Sequence, residues 1–114
     1  MKSIVQEKSF EFSLKIIKIY QSLNKKNEFV LSKQLVRSGT SIGANVEEAL
    51  AAQSRRDFLS KMSIASKEAR ETRYWLRLMS ASKIGEENYS ELLGKIEELI
   101  RMLTSIVKTT GKNR

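Results

Sequence analysis

The chain of 114 residues contains no cysteine, no histidine and no proline. Without cysteine it forms no disulfide and offers no thiolate to a metal ion. Without histidine it lacks the commonest general base and the commonest metal ligand. The absence of proline suits long, uninterrupted helices. A chain of this length can bury a core without a disulfide or a metal ion to support it.

Long apolar runs are also absent from the sequence. No stretch approaches the roughly 18 apolar residues that a membrane-spanning helix needs. Residues 1–8 become charged before the apolar segment of a signal peptide could form. We therefore expect a cytoplasmic protein with no membrane partner.

Positive charge is in excess, with 21 lysines and arginines against 13 acidic residues and a net charge of +8. Such an excess points to nucleic acid, an anionic surface or an acidic partner, although basic proteins without such ligands are also common. The excess is concentrated in two parts of the chain. Residues 1–27 hold six lysines and two glutamates, and residues 54–84 hold eight basic and three acidic residues.

Four segments show the apolar spacing of amphipathic helices. They cover about residues 3–24, 28–52, 54–80 and 86–109, with Ser54 as a predicted N-cap and Gly85 as the residue that follows the third helix. Because the connections are short, neighbouring helices should be antiparallel. The sequence thus predicts an all-α fold, a single antiparallel up-and-down four-helix bundle over residues 1–114.

The third segment combines an apolar seam with a charged surface that is sorted by side. The seam alternates in steps of four and three, as in helical bundles: Phe58, Met62, Ala65, Ala69, Thr72, Leu76 and Met79. One flank and the outer side carry Arg55, Arg56, Lys67, Arg70, Arg73 and Arg77. The other flank carries Asp57, Glu68, Glu71 and Trp75.

Arginine suits phosphate because its planar guanidinium can donate two parallel hydrogen bonds. One interpretation of the basic side is a stripe that follows the phosphates of a nucleic acid, with Lys15, Lys18, Lys25 and Lys26 as additional cations. The alternative is a solvated surface whose arginines pair with Glu68, Glu71 or a neighbouring subunit. The sequence alone leaves both interpretations open.

The first segment has two apolar rows on nearly opposite sides. Phe12, Ile16 and Ile19 form one row, and Phe10, Leu14 and Ile17 form the other. One bundle core can hardly bury both, and an exposed apolar row often marks a subunit contact. We therefore predict a homo-oligomer contact at Phe10, Leu14 and Ile17. The alternative is a wide core with Phe10 at its edge.

No enzymatic, cofactor, metal or small-molecule site emerges from the remaining motifs. Residues 37–45 resemble a phosphate loop but lack the preceding strand and the Gly-Lys-Ser/Thr ending. Gly39 and Gly43 in this stretch are better explained by close helix packing. The glutamates of the second and third segments lack the Glu-x-x-His pairs of di-iron bundles. Arg37 and Asn45 are the expected partners of any inward-facing glutamate, because a buried charge needs a partner.

Two blocks of sequence resemble a known family. Residues 37–49, Arg-Ser-Gly-Thr-Ser-Ile-Gly-Ala-Asn-Val-Glu-Glu-Ala, are similar to the signature of the four helix bundle proteins, also called the 23S rRNA intervening-sequence protein family. The third segment matches that family at Asp57-Phe58, Lys61, Ile64-Ala65, Lys67-Glu68-Ala69, Glu71-Thr72 and Trp75-Leu76. The resemblance covers nearly the whole chain.

The resemblance implies an antiparallel four-helix bundle without catalytic residues. Some family members are encoded within insertions of bacterial large-subunit ribosomal RNA genes. A related group serves retroelement reverse transcriptases as accessory proteins and forms a pentameric barrel with a basic surface for nucleic acid. For this chain we therefore expect a non-enzymatic, oligomeric scaffold that binds RNA or DNA. The alternative is a protein-interaction module whose basic side meets an acidic partner.

Overall fold

The computed structural model describes residues 3–112, and four long helices account for most of them. The helices are α1 (Ile4–Lys25), α2 (Val30–Leu50), α3 (Arg55–Ser82) and α4 (Ser90–Lys112). A short 3₁₀ turn, Ile84–Glu86, lies between α3 and α4. The described residues contain no strand, so the predicted all-α class is confirmed.

The helices form a closed ring of four. Each helix packs against its neighbour in the chain, and α1 packs against α4. Ion pairs show the antiparallel direction, since Lys8 reaches Glu98 while Lys15, further along α1, reaches Glu91, earlier in α4. The bundle measures 47 × 23 × 21 Å. This is the up-and-down arrangement that the short connections predict.

The seam predicted on α3 and the first apolar row predicted on α1 lie in the core. On α3 the buried residues are Met62, Ala65, Ala69, Thr72, Leu76 and Met79, whereas Phe58 is half-buried at its edge. The other helices contribute Phe12, Ile16, Ile19 and Leu23 from α1, Leu35, Ile42, Val46 and Ala49 from α2, and Leu92, Ile96, Leu99, Ile100 and Leu103 from α4. Burial of these apolar side chains is the main driving force of folding.

Side chains cap the starts of α1, α2 and α3, and on α1 the Ser3 hydroxyl accepts a hydrogen bond from the Gln6 backbone N–H at 3.3 Å. The Ser54 hydroxyl accepts a hydrogen bond from the Asp57 backbone N–H at 3.0 Å, which confirms the predicted cap of α3. Helix α2 begins at Val30, two residues after the predicted start, because Glu28 caps it from outside. The Glu28 carboxylate accepts from the backbone N–H groups of Val30, Leu31 and Ser32 at 3.2, 3.2 and 2.7 Å. These donors have no partner within the helix.

The connection between α3 and α4 differs from the prediction. Helix α3 ends at Ser82, and Lys83 rather than Gly85 occupies the left-handed position directly after it, with φ of 57°. Gly85 is also left-handed, with φ of 67°, and a Cβ there would overlap Leu23. Helix α4 starts at Ser90, four residues late, because the chain first forms the 3₁₀ turn. The buried Tyr89 hydroxyl donates to the Ile84 carbonyl at 2.8 Å and ties this turn together.

The two glycines of α2 face α1 and differ in how closely that helix approaches. A Cβ on Gly39 would lie 3.0 and 3.1 Å from two carbons of the buried Ile16 side chain. A Cβ on Gly43 would lie 3.5 Å from the Ser13 hydroxyl, which is an ordinary contact. The predicted close packing therefore applies to Gly39.

Candidate nucleic-acid interface

The acidic flank of α3 lies against α2. Arg37 of α2 forms ion pairs with Glu68, at 3.6 Å, and with Glu71. Trp75 donates its indole N–H to Glu71 at 2.9 Å. The expectation that Arg37 partners an inward-facing glutamate is confirmed for Glu68, whose side chain is 16% exposed. Asn45 has a different role, since its amide donates to the Ser41 carbonyl one turn earlier in α2.

The basic flank of α3 lies against α4. An Arg73 guanidinium nitrogen lies 2.8 Å from a Glu97 carboxylate oxygen. Arg70 donates to the Thr104 hydroxyl at 3.0 Å. The sequence suggested Glu68, Glu71 or a neighbouring subunit as partners of these arginines, and the structure gives Arg73 a partner on α4 instead.

Glu97 stands among several guanidinium groups. Its hydrogen bond from Arg73 lowers the pKa of the carboxyl, and the positive charges of Arg101 and Arg77 lower this pKa further. Arg70 belongs to the same flank, because its partner Thr104 lies two helical turns beyond Glu97 on α4. We call this set the arginine face; it comprises Arg70, Arg73 and Arg77 of α3 and Arg101 of α4. One carboxylate cannot neutralise four guanidinium groups, so the arginine face is strongly positive.

The positive surface continues along both helices. Lys67 is exposed one turn before Arg70, and Lys108 is exposed two turns after Arg101. Arg55 and Arg56 line a shallow depression with Leu59 and Thr110 at the beginning of α3. This depression lies about 22 Å from Arg70, at 1.5 Å per residue. Of the six residues predicted on α3, the structure thus groups Arg70, Arg73 and Arg77, with Lys67 one turn away and Arg55 and Arg56 at the far end.

Arg101 and Lys108 were missed from the sequence because residues 85–114 carry no net charge. The charges of α4 are nevertheless sorted by side. Glu91 and Glu98 turn toward α1, where they pair with Lys15 and Lys8 at 3.3 Å each. Sorting α4 by flank, as was done for α3, would have indicated its basic side.

The lysines of α1 do not join the arginine face. Lys15 pairs with Glu91, and Lys26 lies 2.7 Å from Glu87. The hydrogen bond from Lys26, with a second one from Ser22, lowers the pKa of Glu87. These contacts lie in the groove between α1 and α4, on the opposite side of α4 from Arg73.

The second apolar row of α1 points away from the core. Phe10, Leu14 and Ile17 are 62%, 50% and 39% exposed, whereas Phe12 and Ile16 of the first row are at most 1% exposed. The row borders charged residues on one side, where Glu11 and Lys18 flank Leu14 and Ile17. The bundle core therefore contains only the first row, and a wide core that includes Phe10 does not form.

Two other kinds of feature are absent from residues 3–112. No group of three acidic side chains there is arranged to hold a metal ion. None of the helices in this range is long and apolar enough to cross a membrane.

Comparison with known proteins connects the chain to one family. A crystal structure from Bacteroides thetaiotaomicron, of a protein with unknown function from the S23 ribosomal protein family, is 46% identical in sequence. The match covers 92% of this chain and 99% of that chain, with a TM-score of 0.87. No curated protein matches the chain. The family model of the 23S rRNA-intervening sequence protein matches residues 1–105. With most of its length matched, the chain belongs to the 23S rRNA-intervening sequence protein family.

Proposed function

We propose that this protein is a non-enzymatic helical scaffold that binds nucleic acid through the arginine face. The observation that carries the proposal is the surplus of positive charge there: Arg73, Arg77 and Arg101 act on the single carboxylate of Glu97, and Arg70 adds a fourth guanidinium beside Thr104. Arg70 and Arg77 are exposed, so their donors are available to a ligand. Guanidinium groups bind phosphate more strongly than neutral donors do, because the hydrogen bonds are charge-assisted.

The shape of the positive surface favours a polyanion over a single phosphate. Arg70, Arg73 and Arg77 recur at every turn of α3, about 5 Å apart. Lys67 extends this line by a further turn, and Arg101 and Lys108 run beside it on α4. Such a line can follow successive phosphates of a strand. Contacts of this kind fix the position of the ligand and carry little sequence information.

The family name gives independent support for RNA as the ligand. It refers to an intervening sequence of 23S ribosomal RNA, and the solved relative is assigned to a family named after a ribosomal protein. RNA is therefore the first ligand to test, with DNA beside it.

The apolar row of Phe10, Leu14 and Ile17 supports assembly of several copies as part of the same proposal. It lies on α1, away from the α3–α4 groove that holds the arginine face. Contact through this row would therefore leave the arginine faces open. The family resemblance suggests a pentamer.

The test compares two triple variants by fluorescence anisotropy across a salt series. The first changes Arg70, Arg73 and Arg77 to glutamate. The second changes Lys18, Lys25 and Lys33 to glutamate. These three lysines are exposed and lie outside the arginine face, and their substitution alters the net charge by the same amount. We expect the arginine variant to abolish RNA binding and the lysine variant to weaken it only moderately. For the unchanged protein, log affinity should fall with log salt by about 0.7 per neutralised phosphate of a single strand.

A second candidate function is a protein-interaction module. The exposed apolar row favours it, because such a row can also contact a different protein. Equal effects of the two triple variants, or no RNA binding at low salt, would contradict the nucleic-acid proposal. Recovery of one acidic protein in a pull-down after nuclease treatment would then support the module.

A further inference from the structure

An exposed aromatic ring lies within the positive surface of α3. Tyr74 is 56% exposed. Its neighbours one turn away on the helix surface are Arg70, four residues before it, and Arg77, three residues after it. A large exposed aromatic side chain between two arginines is not explained by the core or by solvation.

The Tyr74 ring is supported from one side by Trp75. The two ring centroids are 5.2 Å apart, with the planes at 66°, which is an edge-to-face contact. Trp75 is fixed in turn, because its indole N–H donates to Glu71, and Glu71 pairs with Arg37 of α2. Tyr74 is therefore oriented by a chain of contacts to α2 and keeps more than half of its surface free.

Aromatic rings next to cationic side chains bind unpaired bases by stacking, and the contact tolerates any base because each has a π-face. In a duplex the bases stack on one another, so their faces are not free for a side chain on the surface. Phosphate contacts from arginine alone would not distinguish single strands from duplexes to the same degree.

We propose that Tyr74 is a stacking platform for an unpaired base, so that the arginine face selects single-stranded nucleic acid. Arg70 and Arg77 hold the phosphates on either side of the nucleotide whose base stacks on the ring. The inference rests on the proposed function and deepens it by naming the class of ligand.

The experiment measures the affinity of three proteins for three ligands. The proteins are the unchanged chain, Tyr74→Ala and Tyr74→Phe. The ligands are a single-stranded RNA, the single-stranded DNA of the same sequence and the RNA duplex of the same length. We expect Tyr74→Ala to weaken single-strand binding about 5- to 150-fold, which corresponds to about 1–3 kcal/mol of stacking. Tyr74→Phe should retain the affinity, and duplex binding should be the same in all three proteins.

Trp75 provides a second readout, because it is the sole tryptophan of the chain. A base stacked on Tyr74 should change the Trp75 fluorescence of the unchanged protein and of Tyr74→Phe. Tyr74→Ala should show no such change at saturating ligand. Far-ultraviolet circular dichroism, which reports helix content, should be the same for all three proteins, since Tyr74 lies outside the core.

Two failures can be told apart. If the unchanged protein binds single strands and duplexes equally and Tyr74→Ala binds like it, the stacking inference is wrong while the nucleic-acid proposal stands. If none of the three ligands binds at low salt, the proposed function fails, and the stacking inference fails with it. Loss of either RNA or DNA single-strand binding on Tyr74→Ala supports the inference and identifies which strand the platform accepts.

Discussion

The side-chain oxygens of Ser38 on α2 and Thr72 on α3 lie 2.9 Å apart, and both residues are fully buried. The Thr72 hydroxyl also lies 2.8 Å from the Glu68 carbonyl one turn earlier. Ser38 has a weaker alternative, the Leu35 carbonyl at 3.5 Å. Inside the apolar core, the Ser38 hydroxyl therefore depends on Thr72 for a good hydrogen bond, whereas the Thr72 hydroxyl has a second good partner.

Replacing Thr72 by valine should cost about 1–3 kcal/mol of unfolding free energy, because it leaves the buried Ser38 hydroxyl without a good partner. Ser38→Ala should cost less, since Thr72 keeps the Glu68 carbonyl. The double variant should lose less unfolding free energy than the two single variants lose together, because neither hydroxyl is then left unpaired. Urea unfolding of the three variants measures this coupling, and additive energies would contradict it.

The two glycines of α2 should respond oppositely to alanine. Alanine is favoured over glycine by about 1 kcal/mol in a helix. Gly43→Ala should gain part of this, because the new Cβ makes only ordinary contacts with α1. Gly39→Ala should lower stability, because its Cβ would press on the side chain of Ile16, which is fully buried in the core. Thermal unfolding of the two variants tests the prediction, and a stabilised Gly39→Ala would show that Ile16 can shift.

Glu97→Gln should increase the affinity for RNA. Glutamine has nearly the same size as glutamate but carries no charge, so Arg73 becomes available to phosphate. The dependence on salt should become steeper by about 0.7 in the log–log slope, as for one more neutralised phosphate. The control is Glu91→Gln, which removes the same charge from the α1–α4 groove. An equal gain in both variants would mean that only net charge matters.

The same carboxylate predicts how binding depends on pH. The surrounding arginines lower the pKa of Glu97, so it keeps its charge to a lower pH than an ordinary glutamate does. The gain in RNA affinity from Glu97→Gln should therefore persist to a lower pH than a glutamate with an ordinary pKa would allow. At the most acidic pH the RNA affinities of the unchanged protein and of Glu97→Gln should become equal, because Glu97 is then neutral. Equal affinities already at mildly acidic pH would contradict the lowered pKa.

Tyr89 should make the fold sensitive to alkaline pH. It is 2% exposed, and burial raises the pKa of its hydroxyl to about 12 from the usual value of 10.0. The folded state thus keeps the proton that the unfolded state loses as the pH rises above about 10. Its contribution to stability is full below that pH and declines as the pH approaches 12.

The measurement is the melting temperature of Tyr89→Phe against pH. At neutral pH this variant should be less stable by about 1 kcal/mol, because the bond to the Ile84 carbonyl is lost. The difference from the unchanged protein should shrink in alkali. Tyr74→Phe serves as the control, because Tyr74 is exposed and should leave the alkaline decline unchanged.

Leu14→Glu should weaken self-association, because it places a charge in the middle of the exposed apolar row. Leu50→Glu is the matched control, since Leu50 is similarly exposed, 44% against 50%, but lies at the end of α2. Light scattering should show a smaller assembly for Leu14→Glu alone. A monomer in the unchanged protein would remove the proposed role of the row.

Local periodicity was enough to predict most of the fold. The alternation from Met62 to Met79 fixes which side of α3 is buried, and the two rows of α1 correctly indicated that one row stays exposed. The start of α4 was predicted too early because residues 86–89 continue the apolar spacing of the fourth segment. The 3₁₀ turn at Ile84–Glu86 depends on the fit of Gly85 against Leu23, a contact with a distant helix.

Only the part of the candidate interface that lies on a single helix could be predicted from the sequence. Sorting the charges of α3 by side separated Arg73 from Glu71. The presence of Glu97 and Arg101 beside Arg73 depends on the register between α3 and α4. This register arises from the packing of the two helices, so it cannot be predicted from the periodicity of either segment alone.

The positive charge of the arginine face has a consequence for encounters at long range. The arginine face is strongly positive, while the exposed row of Phe10, Leu14 and Ile17 on α1 is apolar. The field of the arginine face reaches beyond contact distance, so it attracts an approaching polyanion toward Arg70 and Arg77 and raises the rate of encounter. A larger share of encounters would then take place at the arginine face. Added salt shortens the range of this field and slows the arrival of the ligand.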